Sequence, residues 1–385
     1  MRILVLGTQS FFDRGTKVGS QYLAEALARK GYSVDYVPSA SSLFDIVLPP
    51  RRARFARAWW RRAKFVPVID GLNEWSLRSV LPPHRMFVRS DALLEFSRQQ
   101  LSPAFQGVDY DVCISDICPN LLLINSISAK IKICRLNDWP WGFESEIHRC
   151  MIIAIEALLR SPVFSEVWAV SQELLSYASQ LRPSAITLYL PNGVDSAVGS
   201  DGKSQYAGQR RPNRAIYLGS PAQWFDAELV RDVAAKMRDW EFHVYGVGRR
   251  PWRGNPSNLL WLNAIARAEV AAALQASAVG LIPFRNSHGR MKFVERPLKF
   301  YEYVAAGLGV ASTDVGALRI GMNGFAHFGN GVEGFSRAIE LASADRLRLD
   351  DDQRKTFLAE NRWELRTDQM VERVLNLQST PATVR

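Results

Sequence analysis

Arg2-Ile3-Leu4-Val5-Leu6-Gly7, a polar loop to Gly19, and then Gln21-Tyr22-Leu23-Ala24-Glu25-Ala26-Leu27-Ala28 decide the fold class. The first run is a short apolar strand. The last places Tyr22, Leu23, Ala26 and Leu27 on one side of a helix, and Lys30-Gly31 supplies its stop. Tyr32-Ser33-Val34-Asp35-Tyr36-Val37 alternates as a second strand. Further short strands are predicted at Val112–Ser115, Ile131–Leu136 and Glu166–Val170. Strands separated by helical stretches in this way imply a parallel sheet covered on both faces.

Asp195–Asn213, rich in Gly, Ser, Gln and Arg, reads as a linker. A second β/α series follows it, with strands at Ala215–Leu218, Glu241–Tyr245, Leu259–Leu262, Val279–Pro283 and Gly309–Ser312. Its helices fit Ala227–Met237, Ala268–Ala276 and Leu298–Ala306. The stretch from Asp352 to about Leu377 reads as one long amphipathic helix. The expectation is two doubly wound, Rossmann-like α/β domains with an interdomain cleft, divided as 1–190 and 191–351. A C-terminal segment, 352–385, is expected to pack back toward the first domain. Sheets of this kind take ligands at the carboxyl ends of their strands.

Composition agrees with a folded chain. Of 385 residues, 47% are hydrophobic, 11% aromatic and 22% charged, which excludes intrinsic disorder. No apolar run is long enough to span a bilayer, and no secretory signal is expected at the first strand. The four cysteines (Cys113, Cys118, Cys134 and Cys150) form no CxxC pair and the five histidines have no metal spacing, so neither a disulfide scaffold nor a zinc site is expected. Isolated thiols of this kind fit a cytoplasmic chain.

The net charge of +10 is focused. Arg51–Lys64 carries seven cations and no acid, interleaved with Phe55, Trp59 and Trp60. Tryptophan with arginine on an amphipathic element favours an anionic membrane surface, and Arg54, Arg57, Trp59, Trp60, Arg61 and Arg62 are the residues expected to touch it. The same composition would also grip nucleic acid, so a basic nucleic-acid or membrane-binding protein without catalysis is a rival reading.

Three stretches carry more specific information. Pro191-Asn192-Gly193-Val194-Asp195 stands at the domain boundary, and Gly219-Ser220 ends the first strand of the second domain. Arg296-Pro297-Leu298-Lys299-Phe300-Tyr301-Glu302-Tyr303-Val304-Ala305-Ala306-Gly307 opens a helix after a strand and a loop. Pro297 at a helix start sacrifices no amide hydrogen bond, and the free amides of the first turn suit a phosphate. Lys299 adds a point charge beside them. Gly219 would let backbone approach the same group.

Taken together these stretches resemble the nucleotide-sugar half of the GT-B glycosyltransferases. They look most like the bacterial enzymes that extend lipid-linked saccharides in exopolysaccharide synthesis, and within those like the membrane-associated glucuronosyltransferases of xanthan assembly. The resemblance implies a UDP-sugar donor held by Gly219, Ser220, Asn263, Pro297, Leu298, Lys299 and Glu302, with Glu302 toward the ribose. It implies a polyprenyl-diphosphate-linked saccharide as acceptor, glucuronic acid among the candidate sugars, and a peripheral position on the inner leaflet. No metal, no other cofactor and no nucleic-acid partner are expected. Phe284 and Asn286 are candidates for the sugar or base pocket, and Gly246 and Gly248 for a turn beside it.

The candidate general base is Asp138, in Cys134-Arg135-Leu136-Asn137-Asp138-Trp139-Pro140-Trp141. It follows a strand directly, its tryptophans offer a sugar platform, and the resemblance implies a base in this context for an inverting displacement. Asp116 and Asp13 are its rivals, and His148 lies beyond the loop. Retaining members of the superfamily carry a second glutamate eight positions before Glu302. Here that position is Val294 and Glu295 follows it, so a retaining reaction using the Glu295/Glu302 region is the alternative.

Overall fold

The computed structural model describes residues 1–13, 17–46, 56, 59, 65–81, 88–144, 147–195, 211–246, 254–286, 289–345 and 351–379. The chain forms two compact units. Met1–Asp13, Lys17–Pro191 and Glu364–Arg385 belong to the first, and Asn192–Trp363 to the second.

The first unit is built on β1 (Arg2–Leu6), β2 (Ser33–Val37), β4 (Val66–Ile69), β5 (Leu72–Glu74), β7 (Asp109–Asp116), β8 (Ser128–Leu136), β9 (Glu166–Ala169) and β10 (Ile186–Tyr189). Two-residue strands β3 (Ser41–Ser42) and β6 (Arg78–Ser79) pair separately. The main sheet runs β10-β9-β8-β7-β1-β2-β5-β4 and is parallel except between β4 and β5. Its order reverses direction at β1 and β7, where Ile3 pairs with Val34 on one side and Val112 on the other. Helices α1 (Gly19–Arg29), α2 (Asp91–Leu101), α3 (Arg149–Arg160) and α4 (Gln172–Leu181) complete this unit's β/α alternation. Leu23 and Leu27 of α1 join Ile3, Val5, Val34, Ile114, Ile133 and Trp168 in its core.

The second unit carries β11 (Arg214–Leu218), β12 (Glu241–Tyr245), β13 (Leu259–Leu262), β14 (Val279–Ile282), β15 (Gly309–Ser312) and β16 (Ala326–Phe328), all parallel in the order β13-β12-β11-β14-β15-β16. Its helices are α5 (Ala227–Lys236), α6 (Arg267–Gln275), α7 (Leu298–Ala305), α8 (Leu318–Met322), α9 (Gly331–Asp345) and α10 (Asp351–Asn361). The switch point lies between β11 and β14. These strands pair only at Ala215–Val279 and Ile216–Gly280 before they part. Tyr303 of α7 fills the gap: its hydroxyl accepts from the Leu218 amide at 3.1 Å and donates to the Leu281 carbonyl at 3.3 Å. Gly280 makes room for that ring, because a Cβ there would stand 2.2 Å from it.

The single C-terminal helix expected from the sequence is two. α10 ends at Asn361 and α11 (Trp363–Ser379) begins two residues later. The Val194 amide donates to the Asn361 carbonyl at 2.8 Å, and the Trp363 amide donates to the Val194 carbonyl at 3.2 Å. This bridge takes the chain out of helical geometry at Arg362. Phe357 of α10 packs with Phe300, Tyr301 and Phe325 in the second unit. Met370, Val374 and Leu377 of α11 enter the core of the first. Among the described residues no helix is long and apolar enough to cross a membrane.

At the carboxyl ends of β7 and β8, Asp116 and Arg135 form an ion pair at 2.7 Å with both side chains at most 4% exposed. Removing one member strands a buried charge. Arg135→Met should therefore cost about 3–5 kcal/mol of unfolding free energy, and adding Asp116→Asn should recover much of it. Urea titrations of the two variants check this, and an undiminished loss in the double variant would locate the cost elsewhere.

Candidate donor site and acceptor loop

The gap between β11 and β14 opens onto Lys299, in the first turn of α7. Its ammonium lies 4.8 Å from the centroids of both the Tyr217 and Phe284 rings. Gly219, at the end of β11, has φ +130, and a Cβ built there would sit 3.6 Å from Lys299 Cε and Nζ. Only glycine reaches that backbone shape without strain, and its bare Cα leaves the ammonium approachable. Gly246, ending β12, packs against the Gly219 carbonyl.

Lys299 is half-buried. Burial, with a contribution from the neighbouring Arg290 charge and against the pull of Glu302, pushes its ammonium down to about 8. Among the described residues no carboxylate oxygen comes within 4.0 Å of it. Arg290 is itself buried and lies 4.0 Å over the Trp224 ring. Two cations are thus held against aromatic faces at the carboxyl ends of parallel strands.

The start of α7 is where the sequence places it: Pro297 occupies the N-cap, with ψ 150, and Leu298 is the first helical residue. The Pro297 carbonyl accepts from the Phe300 amide at 2.9 Å, and the amides of Leu298 and Lys299 precede the first intrahelical acceptor. Glu302 does not pair with Lys299. Its Oε1 accepts from Arg267 Nη1 at 2.5 Å, and Arg267 Nη2 reaches Asp195 Oδ2 at 3.2 Å.

The structure therefore gathers Gly219, Phe284, Lys299 and Glu302 around one end of the sheet. Ser220 and Asn263 are exposed, Asn263 in the loop that leads into α6, and Asn286 is exposed just beyond Phe284. Glu295 is buried before α7. Arg267, Arg290, Tyr217 and Trp224 were not among the expected site residues. Gly248 lies outside the described residues, as do Arg54, Arg57, Trp60, Arg61 and Arg62. Trp59 is described: it is half-buried, with the Arg78 guanidinium 5.8 Å over its ring.

In the first unit Asp138 follows β8, half-buried, and its Oδ1 accepts from the Trp139 amide at 3.0 Å. Asn137 Oδ1 accepts from the Ile117 amide at 2.8 Å, tying the loop to the end of β7. Trp141 donates its indole N–H to Glu156 Oε1 at 2.8 Å, and Arg149 lies 5.3 Å over its ring. Tyr177 also donates to Glu156. The Asp116 carboxylate is committed to Arg135, and the Asp13 carboxylate to the Ser10 amide. Burial pushes the Cys113 and Cys118 thiols up to about 12, far from nucleophile range. Among the described residues no group of three or more His, Cys, Asp or Glu is placed to hold a metal.

No family model matches the chain, and no curated protein does. Solved structures do. Sucrose-phosphate synthase from Thermosynechococcus elongatus superposes with a TM-score of 0.73 at 14% identity, over 98% of this chain and 99% of that one. The fold is GT-B. Trehalose 6-phosphate synthase from Burkholderia multivorans (TM-score 0.61, 10% identity, covering 98% and 97%) shares it. So does HepE of Anabaena, solved with UDP (0.59, 13%, 98% and 100%). At these identities the likeness is one of GT-B architecture.

A lysine held below its solution pKa disfavours its charged form in the fold. That cost is complete below pH 8 and fades as pH rises toward 10.5, where the unfolded chain also loses the proton. Lys299→Met should accordingly raise stability by on the order of 2–3 kcal/mol at pH 7, and by progressively less above pH 8. Thermal melts across that range check the sign, and a destabilised variant at pH 7 would contradict it.

Proposed function

We propose that this chain is a glycosyltransferase that takes a UDP-sugar in its second unit and extends a polyprenyl-diphosphate-linked saccharide. The observation that carries the reading is the half-buried Lys299 ammonium, with no carboxylate oxygen within 4.0 Å among the described residues, beside the leading amides of α7. A nucleotide diphosphate supplies the missing negative charge and accepts from those amides. Gly219 and Gly246 leave room for it, and Glu302 faces its ribose. As the sugar–phosphate bond breaks, charge grows on the departing diphosphate. Lys299 and the helix start stabilise that charge without a metal.

Asp138 is the proposed base of an inverting displacement. Its rivals Asp116 and Asp13 are each engaged by other groups. The acceptor's lipid places the enzyme on the anionic inner leaflet, with Arg51–Lys64 as the docking segment and exopolysaccharide synthesis as the setting. UDP complexes among proteins of the same fold support the choice of donor. An acidic sugar such as glucuronic acid suits the cations at Arg290 and Lys299.

Three measurements test the reading. Lys299→Ala should weaken UDP-sugar binding by roughly 1.5–3 kcal/mol in calorimetry; unaltered affinity would remove it from the site. Asp138→Asn should lower turnover by about 10²–10⁴-fold while donor affinity stays near wild type. A variant keeping a tenth or more of wild-type turnover would pass the role to another acid. Replacing Trp59 and Trp60 with Ser, together with Arg57, Arg61 and Arg62, should release the protein from anionic liposomes, and undiminished pelleting would place the membrane contact elsewhere.

A further inference from the structure

Lys299 and Glu302 sit three residues apart on α7, the spacing at which a lysine and a glutamate ordinarily pair. Here Glu302 turns instead to Arg267, at the first position of α6. Asp195, from the segment entering the second unit, holds the other arm of the same guanidinium at 3.2 Å. Both carboxylates are at most 12% exposed and Arg267 is 26% exposed, so the contacts are partly shielded from water. A planar guanidinium can serve two carboxylates at once, which a lysine ammonium does less well.

We infer that Arg267 is a positioning residue that keeps the anion site open by holding Glu302 off Lys299. This rests on the reading that Lys299 receives a diphosphate. The charged groups facing Lys299 are Glu302 on its own helix and Arg290 from the turn before it, with Tyr217 and Phe284 as aromatic walls. With Arg267 gone, Glu302 loses a cation partner, and Lys299, three residues earlier on the same helix, already feels its charge. The two then close into an ion pair, and an incoming diphosphate must displace a carboxylate. The Asp195 contact fixes Arg267, so the segment at Asn192–Asp195 shares in setting the charge of the site.

The test measures the lysine directly. Competitive acetylation of Lys299 with acetic anhydride, read by mass spectrometry across pH, should give a midpoint near 8 in the wild-type chain. In Arg267→Met it should rise by about one unit or more, the usual effect of a close opposite charge. UDP affinity by calorimetry should fall roughly tenfold. In a Glu302→Gln background the same Arg267→Met change should leave UDP affinity within about threefold, because the competing carboxylate is gone. Should the methionine variant fail to fold, Arg267→Lys takes its place, with an upward shift again expected. An unmoved labelling midpoint overturns the inference whether or not UDP binds. An equal loss of UDP affinity in the Glu302→Gln background also overturns it, by making Arg267 a direct phosphate ligand. Absence of UDP binding in the wild-type chain sinks the donor reading alone and leaves the labelling to decide this one.

Discussion

A half-buried lysine ammonium with no carboxylate oxygen within 4.0 Å among the described residues is the constraint around which the second unit is arranged. Such a charge is unfavourable, and the fold offsets it only in part through the faces of Tyr217 and Phe284. Everything that brings the ammonium there is structural. Tyr303 holds β11 and β14 apart by satisfying Leu218 and Leu281, which would otherwise lose their ladder partners. Phe300 and Tyr301, buried on the same helix, fix α7 against the sheet and α10. The lysine can then point only into the gap. On the proposed reading, a fold that bears this expense prepares the site for a diphosphate before it arrives.

The fold and the candidate residues of each unit were unequally legible. Parallel strands buried on both faces read as continuous apolar runs, so β1, β7, β8, β11, β14 and β15 were visible as such. β4 hides behind Pro67 at a sheet edge, and β16 is only Ala326-His327-Phe328, too short to show a pattern. The break at Arg362 was invisible because its cause is a backbone bridge to Val194, more than 160 residues away along the chain, and no local residue announces it. Lys299, Gly219 and Glu302 were legible because they belong to linear motifs at element ends. Arg267 and Arg290 were not. They reach the site from a helix start and a turn whose sequences carry no spacing signal, and the topology alone brings them in.

In the first unit the candidate acid preferred from sequence, Asp138, and its rival Asp116 stand in different surroundings. Asp116 and Asp138 both end strands, at neighbouring positions in the sheet. Their surroundings separate them. Asp116 is buried against Arg135, and a carboxylate so paired is a poor proton acceptor because protonation would strand the guanidinium. Asp138 accepts from a backbone amide of its own turn through Oδ1 and keeps partial access to solvent. Its loop is nonetheless fixed at both ends, by Asn137 on Ile117 and by Trp141 on Glu156. A carboxylate on a rigid, half-open loop meets the positional demands of a general base better than one locked in an ion pair.

Glu302 and Asp195 share one guanidinium, which on the proposed reading keeps the donor site positive. Unopposed, either carboxylate would compete with a diphosphate for the cations nearby. One guanidinium engages both, so their negative charge is turned away from Lys299 rather than removed. On the proposed donor reading, Glu302 keeps a carboxylate for hydroxyl recognition while Lys299 keeps its charge for phosphate. A glutamine at 302 would accept hydroxyls without needing Arg267, but it would also forgo the stronger charge-assisted hydrogen bond. On that inference the acid and the arginine go together, and Arg267 ties the segment that carries Asp195 to a helix about a hundred residues later in the chain.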